Sequence, residues 1–255
     1  MPLPLPTPCD IAGIKVHPLS LAALLQWLAE RIAAGERGTV MYVNAHAINL
    51  AQVQPAFREH LNRADVVFCD GYGVRLGAAL LGCRLPERFT PPDWIARLAA
   101  LCTEHRYRLF FLGARPGVAA CAADTLRVRF PTLEISTHHG HFDLSGPENE
   151  AVLEQICVAA PHILLVGMGM PRQEAWMVAN HLRHPATIVI SVGALFDYMA
   201  GEVRRGPAWM TEHGGEWLAR LWYEPRRLWR RYLLGNPAFL WLILQIWARK
   251  RRLRS

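Results

Sequence analysis

The sequence predicts an α/β fold, a mostly parallel sheet with helices on both faces, followed by an all-helical C-terminal segment. Three observations predict it. Short apolar runs of strand length alternate with segments of helical periodicity from about residue 11 to residue 192. Alternation of that kind calls for parallel strands joined by crossover helices, because each apolar run needs cover on both faces. From about Pro207 the strand-like runs stop and only helical patterns continue. The arrangement is Rossmann-like, and it divides the chain into a core over 1–206 and a helical appendage over 207–255.

The elements follow in order. The start, MPLPLPTPC, is proline-rich and has neither the charged leader nor the apolar stretch of a signal peptide. A short strand is expected near Ile11 to Val16, then a helix over Leu19 to Ala34, whose apolar residues recur at helical spacing. Val40 to Val43 reads as a core strand with Asn44, His46 and Asn49 crowding its C-terminal end, where open α/β sheets bind ligands. Asn44 is equally suited to cap the next helix. A helix around Pro55 to Arg63 precedes ADVVFCDGYGV, an apolar strand ending in Asp70-Gly71-Tyr72-Gly73. Asp70 is placed there to accept a proton or hold a metal, or simply to close a turn on its own backbone. No second carboxylate stands one or two positions away, so a DxD-type metal site is not expected. In the proline-rich loop LPERFTPPDW, Glu87 and Arg88 precede Thr90 and Asp93, either of which can cap a helix over Trp94 to His105.

Arg108 to Gly113 is a further strand, and ARPG leads into a helix over Val118 to Arg129 without the GK[ST] of a P-loop. LEISTHHGHF gives a strand ending in His138, His139 and His141, whose spacing in an extended loop does not aim all three rings at one point. After a helix over Glu148 to Ala159 comes HILLVGMGMPRQEAW, in which Ile163 to Val166 form a buried strand ending at Gly167. Gly167 and Gly169 allow close backbone approach to a ligand, and Pro171 presets the first turn of a helix whose N-terminus attracts anions. Gln173 and Glu174 are expected at the mouth of that helix, which runs over Glu174 to Arg183. Arg172 stands where a dinucleotide fingerprint needs its third glycine, which argues against an NAD site. The last strand, Thr187 to Val192, runs into GALFDYMAGEVRRGP and places Asp197 in another ligand-side loop. Polar residues thus stand at the C-terminal ends of four or five strands at once, which points to one composite site.

The charge is uneven. Residues 204–255 hold 12 of the 28 Lys and Arg and 3 of the 21 acidic residues, so the tail is +9, the rest is −2, and the sum is the net +7. Six of the nine Trp also lie there, at 209, 217, 222, 229, 241 and 247. Trp with Arg suits a membrane interface as well as a nucleic acid. Pro237 to Trp247 is apolar apart from Gln245 and leads into ARKRRLRS. Eleven residues of helix rise only about 17 Å, too short to span about 30 Å of hydrocarbon but enough to lie in the interface or to pack on the core. Cysteines 9, 69, 83, 102, 121 and 157 form no CxxC pair and read as reduced core thiols.

Nine blocks carry a resemblance. VNAHAINLA, DGYG, the ER before the proline-rich loop, FFLGARPGV, HGHF, VGMGMPRQEAW, VGALFDYMAG, RRGPAW and GGEWLARLWYEPRRLWRRY, over roughly residues 10–235, resemble in order the WecG/TagA/CpsF family of bacterial glycosyltransferases. The resemblance implies an inverting enzyme with no bound metal or cofactor. It would move a sugar from a UDP-sugar to an undecaprenyl-diphosphate-linked saccharide, as a peripheral protein on the cytoplasmic face of the inner membrane. By matching motifs it makes Asp70 the base. Arg88 and the tail residues Arg220, Arg227, Arg230 and Arg231 become candidates to hold diphosphate or lipid. Asn44, Gly71, Thr90, Gly167, Gly169, Gln173, Glu174 and His141 become substrate-site positions, and Asp197 matches the position facing the uracil edge. Tyr42 stands where many members carry a small hydroxyl residue and His141 where many carry Tyr, so the donor sugar stays open among N-acetylmannosamine, its uronic acid and glucose. A nucleic-acid binder using the basic tail is the competing reading, and it leaves the sheet-end residues unexplained.

Overall fold

The computed structural model describes residues 5–207, 210 and 214–253. Trp209, with the end of the RRGPAW block, lies outside them. The sheet has six strands, β3 (Gly38–Val43), β4 (Val66–Cys69), β5 (Leu109–Gly113), β6 (Ile135–His138), β7 (Ile163–Gly167) and β8 (Ile188–Ser191), in the order β4-β3-β8-β7-β5-β6. Every neighbouring pair is parallel. The apolar runs fix this arrangement: Val40, Tyr42, Val66 and Phe68 pack into the core on one face, and Met41, Val43, Val67 and Cys69 into the core on the other. Strands buried on both faces have no polar side, which is why they read as unbroken apolar runs.

The connecting helices are α1 (Leu21–Ala34), α2 (Ala45–Val53), α3 (Pro55–Arg63), α4 (Tyr72–Leu80), α5 (Pro91–His105), α6 (Val118–Arg129), α7 (Pro147–Ala159), α8 (Arg172–Asn180) and α9 (Leu195–Met199). The expected single strand near Ile11 is instead an antiparallel hairpin, β1 (Cys9–Ile11) with β2 (Ile14–Val16), turned at Ala12 and Gly13, both at positive φ. Its continuation seals the sheet edge: the His17 backbone N donates to Val67 O, and Val67 N donates to His17 Nδ1. Helix α8 starts two residues earlier than expected and stops at Asn180.

The cysteines correct the reading of six core thiols. Cys9 and Cys83 form a disulfide across 74 residues, Cys121 and Cys157 are exposed, and Cys69 and Cys102 are buried. A pair that meets only through the docking of the hairpin beside α4 leaves no local spacing pattern.

The C-terminal segment comprises α10 (Glu216–Tyr223), α11 (Pro225–Trp229), a π-helical turn over Arg230–Leu234 and α12 (Gly235–Arg252). Helix α12 lies on α2 and α4, with Phe239 and Ile243 buried in the core on one sheet face. The close approach requires a missing side chain: a Cβ at Gly77 of α4 would stand 3.1 Å from both Phe239 and Ile243. Among the described residues no helix is long and apolar enough to cross a membrane.

Candidate active site

Asp70 sits immediately after β4, and its backbone N donates to Val43 O at the end of β3, which places the carboxylate on the C-terminal edge of the sheet. Asn44, at the equivalent point of β3, does two jobs. Its Oδ1 accepts from Ala47 N and caps α2, while its Nδ2 donates to Asp70 Oδ2 at 3.3 Å. Capping and site contact therefore coexist in one side chain. Gly71 makes the approach possible, since a Cβ there would lie 3.1 Å from Asn44 Cβ.

Burial raises the Asp70 carboxyl to about 6, and the nearby Glu216 charge adds to the rise; the Asn44 hydrogen bond and the charges of Arg88 and Arg231 oppose it. A carboxyl so tuned is ionised at neutral pH yet basic enough to take a proton.

Three cavities run along the sheet edge and share walls. A central one of about 350 Å³ holds Asp70, Asn44, Tyr42, Thr90, Arg220 and Arg231. An apolar-walled one of about 360 Å³ shares Asn44, Asp70, Thr90, Arg220 and Arg231 with it, and adds Gly71, Tyr72, Leu76, Trp217, Phe239 and Leu240. A charged one of about 790 Å³ shares Gly169, Gly193 and Arg227 with the central cavity and adds Gly167, Arg115, His141, Arg172 and Asp197. Asp70 stands where the central and apolar-walled cavities meet.

The remaining expected positions fall as follows. Thr90 and Asp93 form the capping box of α5, so the cap reading holds, and Thr90 still lines two cavities. Arg88 reaches Glu216 at 3.5 Å and Asp93 at 3.9 Å, an acidic pairing that competes with any anion for it. Asp197 lies on the short helix α9 rather than in a loop, and burial raises its pKa against the lowering charge of Arg115. His141 is exposed at the rim of the charged cavity. Arg220 stacks over Tyr198 at 5.5 Å, and Arg231 lies over Tyr232 at 5.5 Å. Arg230 instead covers Trp229 and lines none of the three cavities.

Gln173 and Glu174 stand in the first turn of α8, as expected, but their side chains turn inward. Both are fully buried. Gln173 Oε1 accepts from Gly169 N and Gly193 N, and its Nε2 donates to Glu174 Oε1 at 2.7 Å. Two loops that line the site are thus tied from behind, by a polar pair whose outward geometry the sequence had suggested. Glu174 Oε2 has no hydrogen-bond partner among the described residues, and burial raises that carboxyl to about 7.

Sequence reasoning missed Glu216 and Arg205. Glu216 opens α10, pairs with Arg88 and Arg205, and borders both smaller cavities. Its only sequence signal was its place in the GGEWLARLWYEPRRLWRRY block. Tyr42 is buried with its hydroxyl against Gly193, where an added Cβ would lie 2.4 Å away, and burial raises its pKa. His46 borders both smaller cavities, and burial with the Arg231 charge lowers its ring to about 4, so it is neutral at physiological pH. Among the described residues no three His, Cys, Asp or Glu side chains are grouped to hold a metal ion.

A parallel α/β sheet with its polar residues gathered at the carboxyl ends of β3, β4, β7 and β8 is a ligand-binding enzyme architecture. The profile of the glycosyl transferase WecG/TagA/CpsF family matches residues 9–253, and the chain belongs to that family. It is a glycosyltransferase. Similar relatives include N-acetylglucosaminyldiphosphoundecaprenol N-acetyl-beta-D-mannosaminyltransferases of Staphylococcus aureus strains NCTC 8325 / PS 47 and COL. Each is 27% identical over 236 residues, covering 92% of this chain and 91% of the relative.

Proposed function

We propose that the protein transfers a sugar with inversion from a UDP-sugar to an undecaprenyl-diphosphate-linked saccharide, as a peripheral protein on the cytoplasmic face of the inner membrane. The names of its relatives favour N-acetylmannosamine as the sugar and an N-acetylglucosaminyl lipid as the acceptor. The observation that carries the reading is the position of Asp70, held by Asn44 where two cavities meet. One cavity then serves the donor and the other the acceptor, and the carboxylate faces both.

In the transfer, the acceptor hydroxyl attacks the anomeric carbon from the face opposite the nucleotide while Asp70 takes its proton. The bond from that carbon to the diphosphate oxygen breaks, the new glycosidic bond forms, and UDP departs with the electron pair. Charge grows on the departing diphosphate. Arg220, Arg227 and Arg231, which line the central cavity, are the groups we assign to hold it without a metal ion, with Arg88 in support through Glu216. Gly167, Gly169, Gly193 and Asp197, which line the charged cavity, are the groups we assign to the nucleotide. On this reading residues 1–206 supply the base and the nucleotide site, and residues 207–255 supply the cationic wall and the membrane contact.

The test is a panel of UDP-sugars offered with an N-acetylglucosaminyl-diphosphate lipid, with and without excess EDTA. Transfer from UDP-N-acetylmannosamine that survives EDTA is the expected result. No transfer from any UDP-sugar would overturn the reading, and transfer that needs added Mg²⁺ or Mn²⁺ would overturn the arginine account of the leaving group.

A further inference from the structure

The apolar-walled cavity has two unlike ends. Its floor is polar, with Asp70, Asn44 and Arg231, and its outer wall is built from Leu76 of α4, Trp217 of α10 and Leu240 of α12. The outer wall does not end at the cavity. Leu76 is 57% exposed and Leu240 53% exposed, although both line it. Leu80 on α4, and Trp241 and Leu244 on α12, extend the apolar strip over the surface, and α12 then ends in Arg249, Lys250, Arg251 and Arg252. An apolar strip bordered by a cationic run is the pattern of a surface that enters the headgroup layer of an anionic bilayer. The charged cavity beyond Gly169 shows no such wall, being lined by Arg115, Asp143, Glu148 and Arg172.

We propose that this cavity takes the first isoprene units of the polyprenyl acceptor, with the sugar and diphosphate at the polar floor and the chain leaving between Leu76 and Leu240. The inference rests on the transferase reading above and adds where the prenyl chain lies. A ligand with an anionic head and a branched hydrocarbon tail matches both ends, whereas a free sugar leaves the apolar wall wet. At about 360 Å³ the cavity accommodates a sugar and the beginning of the chain only. The rest of the chain passes along the exposed strip into hydrocarbon without crossing water. The position of Phe239, buried beneath the wall against Gly77, keeps α4 and α12 at a fixed separation.

The experiment uses the full chain in solution, without vesicles, and a series of N-acetylglucosaminyl-diphosphate acceptors carrying a methyl group or one, two or three isoprene units. For the unaltered protein KM should fall by at least about tenfold over the first one or two units and then level off, because each buried CH₂ is worth roughly a factor of four. Leu76→Glu and Leu240→Glu, both at exposed positions that tolerate a charge without unfolding, should flatten that dependence. Val158→Glu, on an exposed site of α7 remote from the cavity, should keep it. KM independent of chain length in the unaltered protein, with transfer still occurring, would overturn the proposal and leave the transferase reading standing. Absence of transfer to every acceptor would instead strike at the reading beneath it. A chain-length dependence unchanged by both glutamate variants would show that the tail lies elsewhere on the surface.

Discussion

The central strands and helix α12 are built from the same kinds of side chain and treat them in opposite ways. In β5, β7 and β8 every residue from Leu109 to Gly113, Ile163 to Gly167 and Ile188 to Ser191 is buried, because helices cover both faces of the sheet. In α12 only Phe239 and Ile243 are buried, while Leu240, Trp241 and Leu244 face outward. An apolar run alone therefore does not say whether it is interior. What decides is how many layers the rest of the chain can put over it. The described chain places no layer over the outer face of α12: its inner face packs on the core, one of the two accounts open at the sequence level, and its outer face is left exposed.

The sharpest way to break the comparison is at the point where the two regions meet. Asp70→Asn keeps the hydrogen-bonding shape and removes the base. It is expected to lower turnover by about 10²- to 10⁴-fold while UDP binding persists, as read by single-turnover kinetics and calorimetry. Near-normal turnover would take Asp70 out of the chemistry and leave the shared wall of the two cavities without a role.

Next in size is the inner face of α12. Phe239→Ala should cost about 3–5 kcal/mol of stability, the usual range for emptying a buried aromatic site, measured by urea unfolding. Trp241→Ala, one residue on, should change stability by less than about 0.5 kcal/mol and instead weaken sedimentation with anionic vesicles, more so at high salt where the cationic run is screened. Equal effects of the two on unfolding would mean that the helix has no outward face.

Glu174 tests the core side. Its folded pKa of about 7 is above the ordinary carboxylate value of 4.5, so folding favours the protonated form. Its contribution is present below about pH 4.5 and is lost as pH rises to about 7. Glu174→Gln should therefore stabilise the protein above pH 7, by at most about 3 kcal/mol from the size of the shift, and make no gain near pH 4. Thermal unfolding across that window reads it. The smallest effect is the pH dependence of catalysis. The Asp70 carboxyl must be ionised to accept a proton, so kcat/KM should fall below about pH 6 by tenfold for each further unit, and lose that limb in Asp70→Asn.

The strands were legible because a strand covered on both faces has no polar side to hide it, and β3, β5 and β7 lie where the apolar runs lie. Helices α4 and α9 were not. YGVRLGAAL and LFDYM begin inside glycine-rich turns, and glycine weighs against a helix locally; contact with α12 and with α6 stabilises them from outside the segment. In the site, Asp70 and Asn44 could be read because each follows its strand directly. The pairing of Arg88 with Glu216 joins residues 128 apart, and no local spacing encodes it. Gln173 and Glu174 mislead for a related reason: polar residues beside a glycine loop suggest solvent or ligand, and only the three-dimensional path of the loops after β7 and β8 shows that they face inward.

The edge strand that leads into Asp70 also bears on the colloidal behaviour of the protein. The outer rim of β4 is closed by His17, whose backbone and imidazole together act as a one-residue strand. An open rim of this kind is a template on which another chain can polymerise. The closure depends on a neutral ring, because Nδ1 must accept the Val67 hydrogen; burial lowers the pKa of His17 and so extends the closed state to more acidic conditions, with Asp65 opposing and Lys15 assisting. Once acid charges the ring, the Val67 amide is released, and turbidity growing with protein concentration is the expected sign of chains adding rim to rim.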